Sequence, residues 1–264
     1  MNVGQAILTS GIDARDARLL LAEASGSSEA SLVAFAEAEM PFEVENAFRE
    51  LVARRAAGEP VAYLLGRKEF YGLELSVDRS VLIPRPETEL LVDLALERRP
   101  DAVLDLGTGS GAVALAIKHQ RPGCRVVAVD ADAAALATAR RNALRQNLEV
   151  DFRHGRWFGP VDGERFDLVL SNPPYVAAGD PHLADLRYEP QAALVAGPEG
   201  MDAFREIVPQ VGAFLRPGGW VLLEHGFGQE DAVRALLAAA GLAFVTTWPD
   251  LSGIARVSGA QLKS

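Results

Sequence analysis

The chain contains 264 residues, of which 49% are hydrophobic and 23% are charged, and it carries a net charge of −10 at pH 7. Domains usually contain about 100–200 residues, so this length predicts one full core together with a smaller domain. A membrane-spanning helix needs a run of about 20 apolar residues, which the sequence lacks. The first residues lack the basic and apolar regions of a signal peptide, and the lone Cys124 has no internal disulfide partner. We therefore expect a cytoplasmic protein without membrane association.

The negative charge is shared between the two ends of the chain. Residues 1–75 contain twelve acidic and seven basic residues, a net charge of −5, and the remaining residues also carry −5. Proteins that bind nucleic acid through its phosphates usually present a basic face. Neither part of this chain is typical of such a protein, so a nucleic-acid partner is disfavoured. We expect the protein to be a monomer.

The first part of the chain has a helical pattern. One helix is predicted from Asp13 to near Gly26, with its apolar residues on one face. Ser28 is expected to cap a second helix, and a third, longer helix is expected to begin at Pro41. The pattern contains no strand signal. It predicts a small all-α domain over residues 1–65.

The pattern then changes from helical to extended. Residues 66–82 predict a β-hairpin that turns at Gly72 and links two domains. Residues 83–264 form the second domain, in which apolar strands alternate with helices. This alternation predicts an α/β fold with a mostly parallel sheet covered by helices on both faces. Seven strands are expected, near residues 102–106, 126–129, 150–152, 166–170, 220–223, 243–248 and 254–259.

A glycine-rich turn follows the first of these strands. It reads Gly107-Thr108-Gly109-Ser110-Gly111 and leads directly into a helix. Glycines allow a sharp turn and a close approach of the backbone to a ligand. Dinucleotide-binding folds use the spacing GxGxxG with pyrophosphate on the helix N-terminus. Here the spacing is GxGxG and no basic phosphate partner is nearby, so these five residues predict a cofactor site of a different kind.

An aspartate ends the next strand. The carboxylate of Asp130 can accept hydrogen bonds from both hydroxyls of a ribose, so Asp130 is a further cofactor-binding candidate. This feature suits S-adenosylmethionine and NAD equally and does not choose between them. Asp132 is expected to cap the following helix.

The segment that selects the chemistry follows the strand predicted at 166–170. It reads Asn172-Pro173-Pro174-Tyr175. The two prolines stiffen the loop, and the Asn172 side chain and the Pro173 carbonyl each offer an oxygen acceptor. Two fixed acceptors suit an NH2 group with two hydrogens to donate. Tyr175 would supply a flat wall for a planar group.

These acceptors predict methyl transfer to a planar nitrogen. The lone pair of an amide or aromatic amine is delocalised, so the nitrogen is a poor nucleophile. Acceptors on both N–H groups would orient it toward the methyl group of S-adenosylmethionine and favour localisation of the lone pair. Asn172, Pro173 and Tyr175 are therefore the catalytic candidates, with Pro174 as a further substrate contact.

The remaining polar groups indicate function less clearly than these two motifs do. The four histidines, at positions 119, 154, 182 and 225, lack metal-ligand spacing, so no metal is expected. Glu224-His225-Gly226 ends a predicted strand, and we interpret it as strand-end packing.

These motifs resemble the PrmC/HemK family, the peptide-chain release factor glutamine N5-methyltransferases. The resemblance covers nearly the whole chain. Besides the glycine turn and Asn172–Tyr175, it includes Phe70-Tyr71-Gly72, residues 82–89 (Leu-Ile-Pro-Arg-Pro-Glu-Thr-Glu), Tyr188-Glu189-Pro190 and Leu223-Glu224-His225-Gly226.

The resemblance implies a function and a set of binding residues. It implies a seven-stranded, Rossmann-like methyltransferase domain, S-adenosylmethionine as methyl donor, and class-1 release factors as partners, methylated on the glutamine of their Gly-Gly-Gln motif. Gly107–Gly111 would hold the methionine and ribose, Asp130 the ribose hydroxyls, and Trp157 would lie near the adenine. Asn172 would also border the donor. Arg156 stands where relatives often carry an acid, and we expect it to point to solvent.

Two alternatives remain from the residues themselves. An adenine-N6 or guanine-N2 methyltransferase acting on nucleic acid could use the same Asn172–Tyr175 chemistry, and enzymes that act on duplexes must also flip the base. The appended acidic helical domain favours a protein substrate. A dehydrogenase or a non-catalytic Rossmann-type module would leave Asn172–Tyr175 unexplained.

Overall fold

A computed structural model describes residues 1–263, which form two compact units. The first unit is Met1–Arg67, and the second begins at Lys68. The three-part division predicted from the sequence, and the docking role of its first part, stay predictions.

The described residues of the first unit form five α-helices: α1 (Val3–Leu8), α2 (Ala14–Ser25), α3 (Glu29–Ala34), α4 (Phe42–Ala56) and α5 (Val61–Leu65). The helices predicted at Asp13, Ser28 and Pro41 are confirmed as α2, α3 and α4. Asp13 and Ser28 cap α2 and α3 with their side chains, and α2 ends at Gly26 in the left-handed conformation. The helices α1 and α5, six and five residues long, were not predicted.

A β-hairpin lies at the start of the second unit. Its strands are β1 (Arg67–Phe70) and β2 (Leu73–Ser76), and the turn between them is at Tyr71-Gly72, both with positive φ. The hairpin is fixed to the rest of its unit, because the side chain of Asn142 accepts a hydrogen bond from Ser76 N at 2.7 Å and donates one to Ser76 O at 3.0 Å. Asn142 also donates to Ser110 O in the glycine turn. The hairpin therefore has a packing role within this unit.

The rest of the second unit alternates helices and strands. In chain order these are α6 (Glu89–Glu97), β3 (Ala102–Leu106), α7 (Ala112–Gln120), β4 (Arg125–Asp130), α8 (Ala133–Arg145), β5 (Asp151–His154), β6 (Phe166–Ser171), α9 (Asp202–Phe214), β7 (Leu215–Glu224), α10 (Glu230–Ala239), β8 (Ala243–Pro249) and β9 (Ala255–Gln261). The last seven of the nine strands form one sheet in the order β5-β4-β3-β6-β7-β9-β8. β9 pairs antiparallel with β7 and β8, and all other pairings in this sheet are parallel, which confirms the predicted seven-stranded, mostly parallel sheet.

Two apolar cores cover the two faces of this sheet. Successive residues of a strand point to opposite faces. In β3, Val103 accordingly packs into one core, with α6 and α7, while Leu104 and Leu106 pack into the other, with α9 and α10. Burial on both faces explains why β3 reads as a continuous apolar run.

The strand order sets the position of the site. From β3 the chain proceeds outward to β4 and β5 and then returns to β6 on the other side of β3. Ligands bind at the carboxyl ends of the strands at such a switch point. Leu106 of β3 is in register with Ser171 of β6, so the loops that begin at Gly107 and Asn172 leave the sheet side by side. None of the helices within residues 1–263 is long and apolar enough to cross a membrane.

Candidate active site

The glycine turn is held open toward a cavity beyond the sheet edge. Gly107, Gly109 and Gly111 have φ angles of +72°, +57° and +83°, a conformation that favours glycine. Backbone N–H groups of Gly107 and Thr108 both donate to the carbonyl of Val129, which fixes the turn against the end of β4. A Cβ at Gly109 would meet no atom within 4 Å and would project into open space. The turn thus forms a cradle that a side chain would partly fill.

Two aspartates lie beside this cradle. Asp130 accepts hydrogen bonds from Gly109 N at 2.8 Å and from Asp132 N at 2.9 Å, so its carboxylate ties the glycine turn to the end of β4. Asp105 accepts one from the Thr108 hydroxyl at 2.6 Å. Burial raises the pKa of Asp105 to about 7 and also raises the pKa of Asp130. Asp132 caps α8, as predicted.

Trp157 and Arg156 share one acidic partner. Glu206 of α9 accepts two hydrogen bonds from the Arg156 guanidinium, at 2.8 and 2.6 Å, and one from Trp157 Nε1 at 2.8 Å. The Arg156 side chain is 64% exposed, in line with the predicted solvent-facing position. Glu206 was not predicted. It places an acid beside Trp157, where the sequence itself offers only Arg156.

The loop after β6 presents Asn172 next to the glycine turn. The buried hydroxyl of Ser171 donates to Leu106 O at 2.6 Å and so joins the ends of β6 and β3. The Asn172 amide donates from Nδ2 to the hydroxyl of Thr88 at 3.1 Å. Within the described residues, neither Oδ1 of Asn172 nor the Pro173 carbonyl accepts a protein hydrogen bond. Neither predicted acceptor is therefore engaged by the described part of the protein.

Tyr175 occupies a different position from the other candidates. Its ring packs against the core on the α9 face of the sheet, and its hydroxyl lies 3.5 Å from Oε1 of Glu224 at the end of β7. Glu224 is 1% exposed, and burial raises the pKa of its carboxyl to about 7. Burial likewise raises the pKa of the Tyr175 hydroxyl.

An ion pair with a buried carboxylate lies beside the site. Arg85 pairs with Glu189, whose other oxygen accepts a hydrogen bond from Ile83 N at 3.0 Å. This pair joins the segment before α6 to the long loop after β6. The residues belong to the Ile-Pro-Arg-Pro-Glu-Thr-Glu and Tyr-Glu-Pro motifs, so the motifs could have indicated them, although their contact could not be read from sequence.

These elements enclose a cavity of about 780 Å³. Of the predicted site residues, those that line it are Gly107, Thr108, Gly109, Ser110, Asp130, Trp157, Asn172 and Pro174, and it is also lined by Arg85, Thr88, Asp105, Arg156 and Glu206. Gly111, Pro173 and Tyr175 are not among the residues that line the cavity. Ligand cavities of about 300–1,000 Å³ hold molecules of drug size. The volume, the open cradle at Gly109 and the carboxylate of Asp130 fit a nucleoside with hydroxyls to donate, as in S-adenosylmethionine.

Within residues 1–263, no three His, Cys, Asp or Glu side chains form a group that could hold a metal ion.

Known proteins resemble this chain along nearly its whole length. Residues 5–66 match the family described as the PrmC N-terminal domain, and residues 86–186 match the Methyltransferase small domain. Release factor glutamine methyltransferases from Xylella fastidiosa and Burkholderia pseudomallei are each 48% identical to it, and each alignment covers 96% of this chain and 94% or 93% of the relative.

A solved structure shares the fold. The T. thermophilus 16S rRNA N2 G1207 methyltransferase, in complex with AdoMet and guanosine, superposes with a TM-score of 0.54 at 23% identity, over 75% of this chain and 50% of that one. The fold and the site define an S-adenosylmethionine-dependent methyltransferase. Within that class, the chain belongs to the release factor glutamine methyltransferase family.

Proposed function

We propose that this enzyme transfers a methyl group from S-adenosylmethionine to the side-chain amide nitrogen of the glutamine in the Gly-Gly-Gln motif of class-1 peptide-chain release factors. The observation that carries the proposal is that two acceptors beside the glycine turn, Asn172 Oδ1 and the Pro173 carbonyl, accept no hydrogen bond from the described residues. Relatives at 48% identity bear the name of this activity.

The donor would be held by the cradle and its neighbours. Gly107–Gly111 would hold its methionine and ribose, Asp130 would accept the ribose hydroxyls, and Trp157 would cover the adenine. When bound, S-adenosylmethionine supplies a methyl group on a positively charged sulfur.

Asn172 and Pro173 would act on the acceptor amide. Asn172 Oδ1 and the Pro173 carbonyl would each accept one N–H hydrogen, which orients the nitrogen and stabilises the charge that develops on it. Pro174, which lines the cavity, would contact the glutamine side chain. Tyr175 would stabilise the conformation of this loop, because its ring packs into the core. The proton can leave to water after the nitrogen is methylated, so no strong base is needed.

The acceptor is a protein in this proposal, and the enzyme works as a cytoplasmic monomer without nucleic acid. The acidic helical unit at residues 1–67 would dock the folded release factor. Its charge opposes binding to a polyanion. A nucleic-acid base with an exocyclic NH2 group is the second candidate, since Asn172 and Pro173 would accept its hydrogens equally well, and the superposed rRNA methyltransferase has the same fold.

A single-turnover assay separates these acceptors. The purified enzyme is mixed with labelled S-adenosylmethionine and either an intact class-1 release factor or ribosomal RNA. We expect label on the release factor, on a glutamine located by mass spectrometry. Faster labelling of the RNA would show that the proposed protein acceptor is wrong. Asn172→Ala should lower the rate by roughly 10²–10³-fold, as for loss of one oxyanion-hole donor, with release factor binding retained. A full rate in that variant would overturn the role of Asn172.

A further inference from the structure

The orientation of the Asn172 carboxamide decides which chemistry it offers. Its oxygen end accepts hydrogen bonds and its NH2 end donates them, and the two ends have nearly the same shape. Nδ2 donates to the hydroxyl of Thr88 at 3.1 Å, which leaves Oδ1 for the acceptor. Rotation by 180° would turn Nδ2 toward the substrate NH2 group, and two donors would then face each other.

Thr88 is held where it can enforce this orientation. It is 4% exposed, at the end of the 3-10 turn Pro86–Thr88 that leads into α6, and its backbone N–H donates to Arg85 O at 3.1 Å. A threonine hydroxyl can donate one hydrogen bond while it accepts others. To accept reliably from Asn172, the hydroxyl needs another group to receive its own proton.

Glu224 lies in the position of that group. Its carboxyl is 1% exposed; burial is the largest cause that raises its pKa to about 7, and hydrogen bonding from Thr88 and Tyr175 opposes that rise. Within residues 1–263, Oε2 of Glu224 has no hydrogen-bond partner of full geometry, so the carboxyl has spare capacity to accept. An ionised carboxylate accepts only. Above about pH 7, where Glu224 is ionised, the donors would therefore run in one direction, from Asn172 to Thr88 to Glu224.

We propose that Thr88 is a positioning residue, backed by Glu224, that fixes the Asn172 carboxamide with its oxygen toward the acceptor NH2 group. This inference rests on the proposed function, because it concerns the same amide acceptor. It adds a basis for specificity. The NH2 end of Asn172 is bound to Thr88, so the site presents the Asn172 oxygen and selects a substrate group that donates hydrogen bonds.

The kinetic test compares two substitutions at position 88. Thr88→Val keeps the shape and removes the hydroxyl, whereas Thr88→Ser keeps the hydroxyl. With both substrates saturating, single-turnover transfer to release factor should fall roughly 5- to 30-fold in Thr88→Val, the factor expected for loss of one or two kcal/mol. Thr88→Ser should remain close to the wild-type rate. The affinity for S-adenosylmethionine should be unchanged in both. A wild-type rate in Thr88→Val, or failure of Thr88→Ser to restore the rate, would overturn the proposal.

Thr138→Val is the matched control. Thr138 is also buried, and its hydroxyl is hydrogen-bonded to Asp78 and Arg141 and does not contact Asn172. Its substitution should leave the saturated transfer rate near that of the wild type. An equal loss in Thr138→Val would show that any buried hydroxyl matters, and it would overturn the assignment to Thr88.

A second measurement does not depend on the acceptor. The Asn172 side-chain NH2 signal, assigned by its disappearance in Asn172→Ala, is followed by NMR in the protein without release factor. Its hydrogens should exchange with solvent faster in Thr88→Val than in the wild type or Thr88→Ser. Equal exchange in all three would overturn the inference. If wild-type enzyme fails to methylate release factor but the exchange difference is present, the proposed function fails and the positioning role stands.

Discussion

Asp130 has two tasks at the level of the single residue. It would bind the donor ribose, and it already accepts hydrogen bonds from the backbone of Gly109 and Asp132. Asp130→Ala should lower the affinity for S-adenosylmethionine by about 1.5–3 kcal/mol, the usual value for a hydrogen bond to a charged group. Calorimetry measures this directly. Asp151→Ala, which removes an aspartate paired with Arg153 on the neighbouring strand β5, is the control and should bind normally. Equal affinity in Asp130→Ala and the wild type would contradict the assignment.

For Arg156 we expect a smaller effect on donor affinity, because its side chain is exposed. Exposed ion pairs are worth about 0–1 kcal/mol, since water already stabilises the separated charges. Arg156→Ala should therefore reduce donor affinity by less than tenfold, even though Glu206 loses its partner. A loss of tenfold or more, about 1.4 kcal/mol, would show that Arg156 takes part in the donor site. The same calorimetric titration gives the answer.

At the scale of elements, the ion pair between Arg85 and Glu189 joins two segments that carry the acceptor site. Glu189→Gln keeps an oxygen for Ile83 N but removes the charge that Arg85 faces. We expect the free energy of unfolding in urea to fall by about 1–3 kcal/mol. Glu199→Gln is the control on the same loop, because Glu199 is 66% exposed in its pair with Arg205. It should change stability by less than about 0.5 kcal/mol. Equal stability of Glu189→Gln and the wild type would show that the pair does not hold these segments.

How far the sequence predicts each element depends on its length and on distant contacts. The sheet strands were predicted from apolar runs, α2 and α4 from apolar residues at helical spacing, and the six-residue α3 from its capping residue Ser28. The helices α1 and α5 were not predicted; they are only six and five residues long and depend on tertiary packing. Gly107–Gly111 and Asn172 could be placed together from one rule, that adjacent parallel strands end at the same edge. Glu206 could not, since it lies 49 positions from Trp157 and its helix reads as an ordinary amphipathic one.

At the scale of the whole molecule, the proposal requires more of the acceptor than one glutamine. A folded release factor would be aligned by contacts far from the reacting nitrogen, and such contacts raise turnover as well as affinity. A short Gly-Gly-Gln peptide should therefore show both a lower saturated transfer rate and a higher KM than the intact release factor. Steady-state kinetics on the two acceptors measure both quantities. Equal kinetic constants would contradict docking by a second surface.

The pH dependence of stability reports the buried carboxyl of Glu224. Burial is the largest cause that raises its pKa from 4.5 to about 7, and Glu87 adds to it, while Thr88, Arg256 and Tyr175 oppose it. Between these two values the folded state binds a proton that the unfolded state has lost. Stability therefore falls as pH rises through this range and levels off above about pH 7.

Glu224→Gln isolates this contribution. Glutamine carries no proton to lose, so the variant should gain stability relative to the wild type as pH rises from 5 to 8, by up to about 3 kcal/mol. Asp105, whose pKa is also raised to about 7 by burial, titrates in both proteins and cancels in the difference. Urea unfolding at four pH values gives the difference directly. A difference that does not change with pH would mean that Glu224 keeps an ordinary pKa. Its carboxylate would then be stabilised by its neighbours more strongly than burial disfavours it.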